Sequence, residues 1–370
     1  MHASRATSIV SLGSRSDNPL VAVALDDAAI PSPAVGDLAS AADDARGNVA
    51  SALLLAHAIG AEMPTPGGGS TLALWEALAT LAAADVTTAR VIEPHVDALG
   101  ILAEARAAGI EVPDGFAPID ATWGVFAAEG PGVKLEATPD GDGGWRVSGT
   151  KPWCSLAGQL SHALVTAWLP TGERGLFAVP LTRGGVHVQD GVWHAVGLAD
   201  VASGPVDFDD VPAAPVGDAG WYLRRPGFAW GGIGVAACWF GGAVGVARAV
   251  LEAAARREPD QIGLMHVGRL ESALTTGRLA LRDAAELIDA RAGLAASDPG
   301  LLAGRTRMII ADVVELVLTE AARALGPAPL ALDARHARRV ADLSLYVRQH
   351  HAERDEASVG RAVLAGGAAW

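Results

Sequence analysis

The sequence predicts an α+β chain with an N-terminal helical domain (1–110), a middle antiparallel β-domain (111–226) and a C-terminal four-helix bundle (227–370). Three observations carry that prediction. Apolar residues recur at helical spacing from about Ala34 to Ala108, short alternating runs cut by Gly, Pro and Asp fill Ile110 to Pro226, and the helical period then returns and persists.

In the first part Leu72, Trp75, Leu78, Ala79 and Ala82 trace one helical face, with Gly109 just past its end. Gly67-Gly68-Gly69 interrupts the pattern, and Ser70 follows as the expected N-cap of a separate helix. In the middle part Val133, Leu135 and Ala137 point one way while Lys134 and Glu136 point the other; Pro139 to Gly144 turns the chain, and Trp145, Val147 and Gly149 return. Further strands are expected at His162–Trp168, Leu176–Pro180, Val186–Gln189 and Pro205–Phe208. Strands without intervening helices describe an antiparallel sheet closed as a sandwich or barrel. The last part reads as helices over Gly227–Arg257, Gln261–Ala292, Leu301–Leu325 and Ala334–Ala352, broken at Pro259, Asp298-Pro299-Gly300 and Gly326-Pro327. Four long helices with short connections make an antiparallel bundle.

Half of the 370 residues are hydrophobic and 19% are charged, which supplies core material for two or three packed units and excludes a disordered chain. Twenty-eight Lys and Arg face 42 Asp and Glu, a formal charge of −14, so nucleic acid and anionic membrane are not expected partners. Cys154 and Cys238 are too few for a disulfide framework and have no zinc spacing, which fits a reducing, cytoplasmic setting without a metal. The opening MHASRATSIVSLGSRSDNP reads as a polar leader rather than a signal peptide. Phe228 to Ala247 carries no charge and contains Gly241-x-x-x-Gly245, formally like a membrane span. It is dominated by Gly and Ala and has no Leu, so a helix buried among other helices is the better reading. Gly232-x-Gly234-x-x-Ala237 imitates a dinucleotide loop, but no strand precedes it.

Gly144-Trp145-x-x-x-Gly149-x-Lys151-x-Trp153-Cys154-Ser155, followed by Ala163-Leu164-Val165-Thr166-Ala167 and Gly175-Leu176-Phe177-Ala178-Val179-Pro180, resembles the acyl-CoA dehydrogenase superfamily over nearly the whole chain. The resemblance implies FAD as cofactor and an acyl thioester as small-molecule substrate. It implies Trp153 packed on the flavin ring, Ser155 bonding near N5 and Cys154 between them. An aromatic plate shields a reduced ring from water, and a hydroxyl can donate to a nitrogen whose charge changes. Ala128-Glu129-Gly130 stands where the family has Thr-Glu-Pro, so Glu129 joins the expected flavin contacts without the threonine hydroxyl. Gln261, seventeen residues before Arg278, matches a glutamine that reaches the adenine half of FAD in a neighbouring subunit, which implies a homodimer or homotetramer. Gly326 keeps the first glycine of a family Gln-x-x-Gly-Gly segment, here Arg323-Ala324-Leu325-Gly326-Pro327.

The expected catalytic base departs from the pattern. Dehydrogenation needs a base for the α-proton while hydride leaves to the flavin, and a carboxylate in a dry pocket usually serves. Counting from Gly326 places the family's Arg-Asp pair at Ala341-Asp342 and its glutamate at His350; the alternative glutamate position falls on Val235. His350-His351 could equally be a solvated helix end. Three readings stay open: α,β-dehydrogenation of an acyl thioester with His350 or Glu353 as base, a flavin-dependent monooxygenase on the same fold, whose branch resembles this chain in using histidine, and a catalytically degenerate flavin-binding homologue.

Overall fold

A computed structural model describes residues 22–26, 33–141, 143–290 and 298–367, so the polar leader lies outside the described residues. Among the described residues four helices come first: α1 (Pro33–Asp44), α2 (Val49–Gly60), α3 (Thr71–Ala84) and α4 (Val86–Ala107). Ser70 holds the N-cap position of α3, but its side chain makes no capping bond. Gly69 and Thr71 instead donate their N–H groups to the Asp289 carboxylate at 3.1 and 2.8 Å, from a helix 218 residues onward in sequence. A carboxylate there satisfies orphan donors and complements the helix dipole. Helix α4 runs through Pro94, which lacks the N–H that would otherwise bond the Arg90 carbonyl.

The strands are β1 (Trp123–Phe126), β2 (Leu135–Pro139), β3 (Trp145–Lys151), β4 (His162–Trp168), β5 (Arg174–Pro180), β6 (Val186–Val188) and β7 (Val206–Pro215). Their order is β1-β4-β2-β3-β7-β5, and a further β4–β5 pairing closes the sheet into a barrel, with β6 on β7. The expectation of a purely antiparallel sheet needs correction. β1, a four-residue strand with no polar alternation to announce it, pairs parallel with β4, and β2 touches β4 in parallel at Glu136 and Trp168. The motif glycine Gly149 sits at φ 114 where the β3–β7 register shifts, and a side chain there would strike the Lys134 carbonyl.

Helices α5 (Trp221–Arg224), α6 (Pro226–Arg256), α7 (Gln261–Ala290), α8 (Pro299–Leu325), α9 (Pro327–Leu332), α10 (Ala334–Tyr346) and α11 (Glu353–Ala362) complete the chain. The uncharged run lies in α6 and is mostly buried, with Ala236, Ala237, Cys238, Trp239 and Ala243 inside the core. The helix expected over Ala334–Ala352 stops at Tyr346. A 3-10 turn over Val347–Gln349 follows, then His350 is extended and Ala352 takes φ 43. No Gly or Pro marks that break in sequence. It is held from a distance: Arg307 on α8 donates to the Gln349 carbonyl at 3.1 Å.

Candidate functional site

Two regions meet at α4. The first is the turn after β3. Lys151 is 1% exposed, and its ammonium donates to Glu129 at 2.8 Å and to the Thr166 hydroxyl at 2.8 Å. Burial alone would raise the Glu129 carboxyl, but the Lys151 and Trp168 donors and nearby Arg174 outweigh it and lower its pKa. The Glu129 side chain is thereby committed to the barrel wall, with Lys151, Trp168 and Arg174 as its partners. Beyond this clamp Trp153 takes φ 60, unusual for a bulky residue, and stands 60% exposed.

Cys154 turns the other way. Its thiol is buried at 1% exposure, directed at the Lys151 carbonyl, and burial pushes its pKa up. The Cys154 thiol thus packs into the core, as an apolar thiol gains more there than at a polar rim. Ser155 Oγ accepts from Arg90 at 2.9 Å and lies 2.8 Å from Ser203 Oγ. Ser203 spends its own proton on the Val201 carbonyl, so the Ser155 proton points at Ser203 rather than outward.

The second region is a cavity of about 650 Å³ between α3, α4 and α6. One face of α4 lines it with Glu93, Asp97 and Glu104, at helical spacing. Opposite, α6 offers Gly227, Gly231 and Gly234. A side chain at Gly231 would lie 2.8 Å from Asp97 Oδ1, so the glycines leave the room the carboxylates occupy. Arg225, 4% exposed in its side chain, pairs with Glu104 at 2.7 Å.

Glu93 is 7% exposed, and burial pushes its carboxyl up to about 7, against the opposing pull of Arg90. Tyr346 donates its hydroxyl to Glu93 Oε2 at 3.3 Å, and Arg90 approaches the same oxygen at 3.6 Å. Arg90 thus joins the two regions: one end on Ser155, the other beside Glu93. Sequence reasoning missed both residues. The available signal was a row of acids on one face of an otherwise apolar helix.

His350 is buried, against the expectation of a solvated helix end, while its neighbour His351 stays exposed. Its ring packs edge-on to Trp239 at 6.5 Å, and Trp239 packs edge-on to Tyr346 at 6.2 Å. His350 Nε2 has no hydrogen-bond partner, and burial lowers the imidazole pKa although Asp355 opposes the shift. His350 does not line the cavity. Asp342 is a structural clip, accepting from Thr87 at 2.8 Å and from the Leu198 N–H at 2.6 Å. Gln261 starts α7 on the exposed surface. Gly326 caps α8 at φ 66. Neither touches the Trp153–Ser155 turn or the cavity.

No family model matches the chain. An 88-residue stretch is 35% identical to dibenzothiophene monooxygenase of Rhodococcus erythropolis, covering 22% of this chain and 21% of that protein's length. Among solved structures, KijD3 in complex with FMN and a dTDP-amino-keto sugar superposes with TM-score 0.73 at 20% identity, over 90% of this chain and 91% of that one. TdsC from Paenibacillus sp. A11-2 with FMN and indole gives TM-score 0.74 at 17% identity, over 89% and 96%. A glutaryl-CoA dehydrogenase from Mycobacterium smegmatis with FADH2 gives 0.72 at 16%, over 94% and 97%. At these identities the likeness is one of fold.

Proposed function

We propose that this chain, which has the acyl-CoA dehydrogenase fold, is a flavin-dependent monooxygenase acting on a small molecule in the α4–α6 cavity. The observation that carries the reading is His350: where the dehydrogenase pattern has a carboxylate, this chain buries a histidine against Trp239, its Nε2 without a hydrogen bond among the described residues and 4.0 Å from the Asp355 carboxylate. The partial likeness to a monooxygenase supports it. In this reading the chain keeps an N-terminal helical part, a β-barrel and a C-terminal bundle as its three domains, and works as a homodimer or homotetramer with Gln261 at a subunit contact.

The residues present fit a flavin. The exposed Trp153 indole offers a flat apolar face, the Ser155–Ser203 hydroxyls offer a polar edge, and the buried Arg90 NH1 has no hydrogen bond of its own. Bound flavin would supply the redox and oxygen chemistry. Trp153 then shields one face from water, and Arg90 fixes the Ser155 hydroxyl. His350, whose imidazole pKa burial lowers, packs edge-on to Trp239 outside the cavity lining.

A second reading, dehydrogenation of an acyl thioester, is favoured by Glu93, a carboxyl raised to about 7 in a cavity, as a base for an α-proton requires. One pair of measurements separates the two. Protein loaded with FMN or with FAD is titrated anaerobically with acyl-CoA thioesters, then supplied with an external flavin reductase, oxygen and indole. Product carrying oxygen, with no bleaching by thioesters, is the expected result. Bleaching by thioesters that Glu93→Gln abolishes would overturn it.

A further inference from the structure

We propose that the α4–α6 cavity selects a ligand with one positive charge, an ammonium on an apolar body, and that Asp97 and Glu93 are the residues that read that charge. The inference rests on the reading of this cavity as the ligand site. It starts from charge pairing along α4.

Among the described residues three carboxylates line the cavity against one guanidinium, Arg225, whose hydrogen bond goes to Glu104 while its charge also pulls the Asp97 pKa down. Two acids remain. Glu93 uses one oxygen, Oε2, for the long Tyr346 bond and the looser Arg90 contact, while Arg90 spends its NH2 on Ser155. Asp97 makes no hydrogen bond or ion pair with any described residue, although it is partly buried and burial raises its pKa. It lies one helical turn from Glu93, on the same face. A side chain at position 231 opposite would come within 2.8 Å of its Oδ1, so glycine there leaves that oxygen its room.

Leu74, Leu78, Val96 and Ile101 make much of the remaining wall apolar, and Trp230 lines it too, its buried indole N–H without a hydrogen-bond partner among the described residues. A neutral apolar ligand would strip water from two carboxylates and return nothing, and an anion would add repulsion. An ammonium compensates both, through charge-assisted hydrogen bonds. The cavity is large enough for a ligand of one or two rings.

The groups facing Glu93 are Arg90 and Asp97 on α4, Tyr222 on α5, Cys238 on α6, Arg307 on α8 and Tyr346 on α10. Burial pushes the Tyr222 and Tyr346 hydroxyls and the Cys238 thiol above their ordinary values, so all three stay protonated between pH 6 and 8. Glu93 ionises across that window. Ammonium binding should therefore strengthen as pH rises through about 7.

The test is calorimetric titration of the full chain, with and without FMN, using 2-phenylethylamine, 2-phenylethanol and phenylacetate. The expected order is amine at least tenfold tighter than alcohol, and alcohol tighter than acid, with the amine preference several-fold larger at pH 8 than at pH 6. Asp97→Asn should reduce the amine-to-alcohol ratio toward one, and Asp97→Glu should restore part of it. Equal or weaker binding of the amine, including no binding by any of the three, overturns the inference, as does a preference that survives Asp97→Asn combined with Glu93→Gln. Oxygenation of a substrate without amine preference sinks this inference and leaves the monooxygenase reading standing. Amine preference in a chain that retains neither FMN nor FAD does the reverse.

Discussion

The two halves of α6 use glycine for opposite ends. In the C-terminal half, Gly241 and Gly245 bring α6 against α3 so closely that a side chain at 245 would come within 2.7 Å of the Ala83 carbonyl, and one at 241 would sit on the Ala79 carbonyl. There the missing side chains make contact possible. In the N-terminal half, where both line the cavity, Gly231 faces Asp97 of α4 and Gly234 faces Leu78 and Trp75 of α3, and the space they leave is met only by the ends of side chains. Small residues at helical spacing therefore say that something must be near that face. They do not say whether it is a backbone, a carboxylate or a ligand.

The largest effect should come from breaking the closed half. Gly241→Ala forces a methyl group into a backbone carbonyl on a neighbouring helix, and backbone cannot swing aside as a flexible side chain can. We expect a loss of about 4 kcal/mol or more, or no soluble protein at all. Urea denaturation with near-wild-type stability would show that α3 and α6 separate more easily than their packing implies.

The next effect isolates charge from space in the open half. Glu93 is raised from an ordinary 4.5 to about 7, so the folded chain holds a proton that the unfolded chain releases. The sign follows: stability is intact below about pH 4.5 and is lost as pH climbs through 7. Glu93→Gln keeps an acceptor for Tyr346 and removes the titration. The variant should match wild type at pH 4.5 and exceed it by up to about 3 kcal/mol at pH 8. Parallel stability curves for the two proteins from pH 4 to 8 would remove Glu93 from its buried position.

The same contrast explains what could be read from the chain. The turn carrying Trp153 and Ser155 was legible because Gly149, Lys151, Trp153 and Ser155 lie close together in sequence, although the bulge at Gly149 also involves β7 and the Lys134 carbonyl across the sheet. Arg90 and Glu93 were not legible. Their partners, Ser155 and Tyr346, are 65 and 253 residues away, and nothing in α4 announces which face will meet a glycine row. His350 was located by counting, yet its surroundings were not, because the break after Tyr346 is secured by Arg307 rather than by a helix-breaking residue. β1 escaped because a four-residue run of Trp, Gly, Val and Phe has no period to detect.

A smaller effect contrasts the cavity with the turn. Trp153 is mostly exposed and sits at φ 60, so Trp153→Gly loses little burial and relieves about 1 kcal/mol of left-handed strain. Stability by denaturation should hold or rise slightly while retention of added flavin, read by gel filtration and absorbance, falls at least tenfold. Unchanged retention would separate Trp153 from the flavin site.

The smallest effect bears most directly on the two halves of α6. A side chain at Gly234 would meet Leu78 Cδ1 at 3.6 Å, ordinary van der Waals contact, and φ there is helical. Gly234→Ala should therefore bring only what alanine brings to any helix, a gain of about 0.5–1 kcal/mol from lower unfolded-chain entropy and better propensity. The added methyl also takes volume from the cavity, so the largest ligands that bind the wild type should weaken while small ones do not. The same substitution seven residues onward is the one expected to unfold the chain. If both alanine variants lose stability alike, the open half is packed as tightly as the closed half, and the cavity that the substrate and ammonium assignments depend on does not exist in solution.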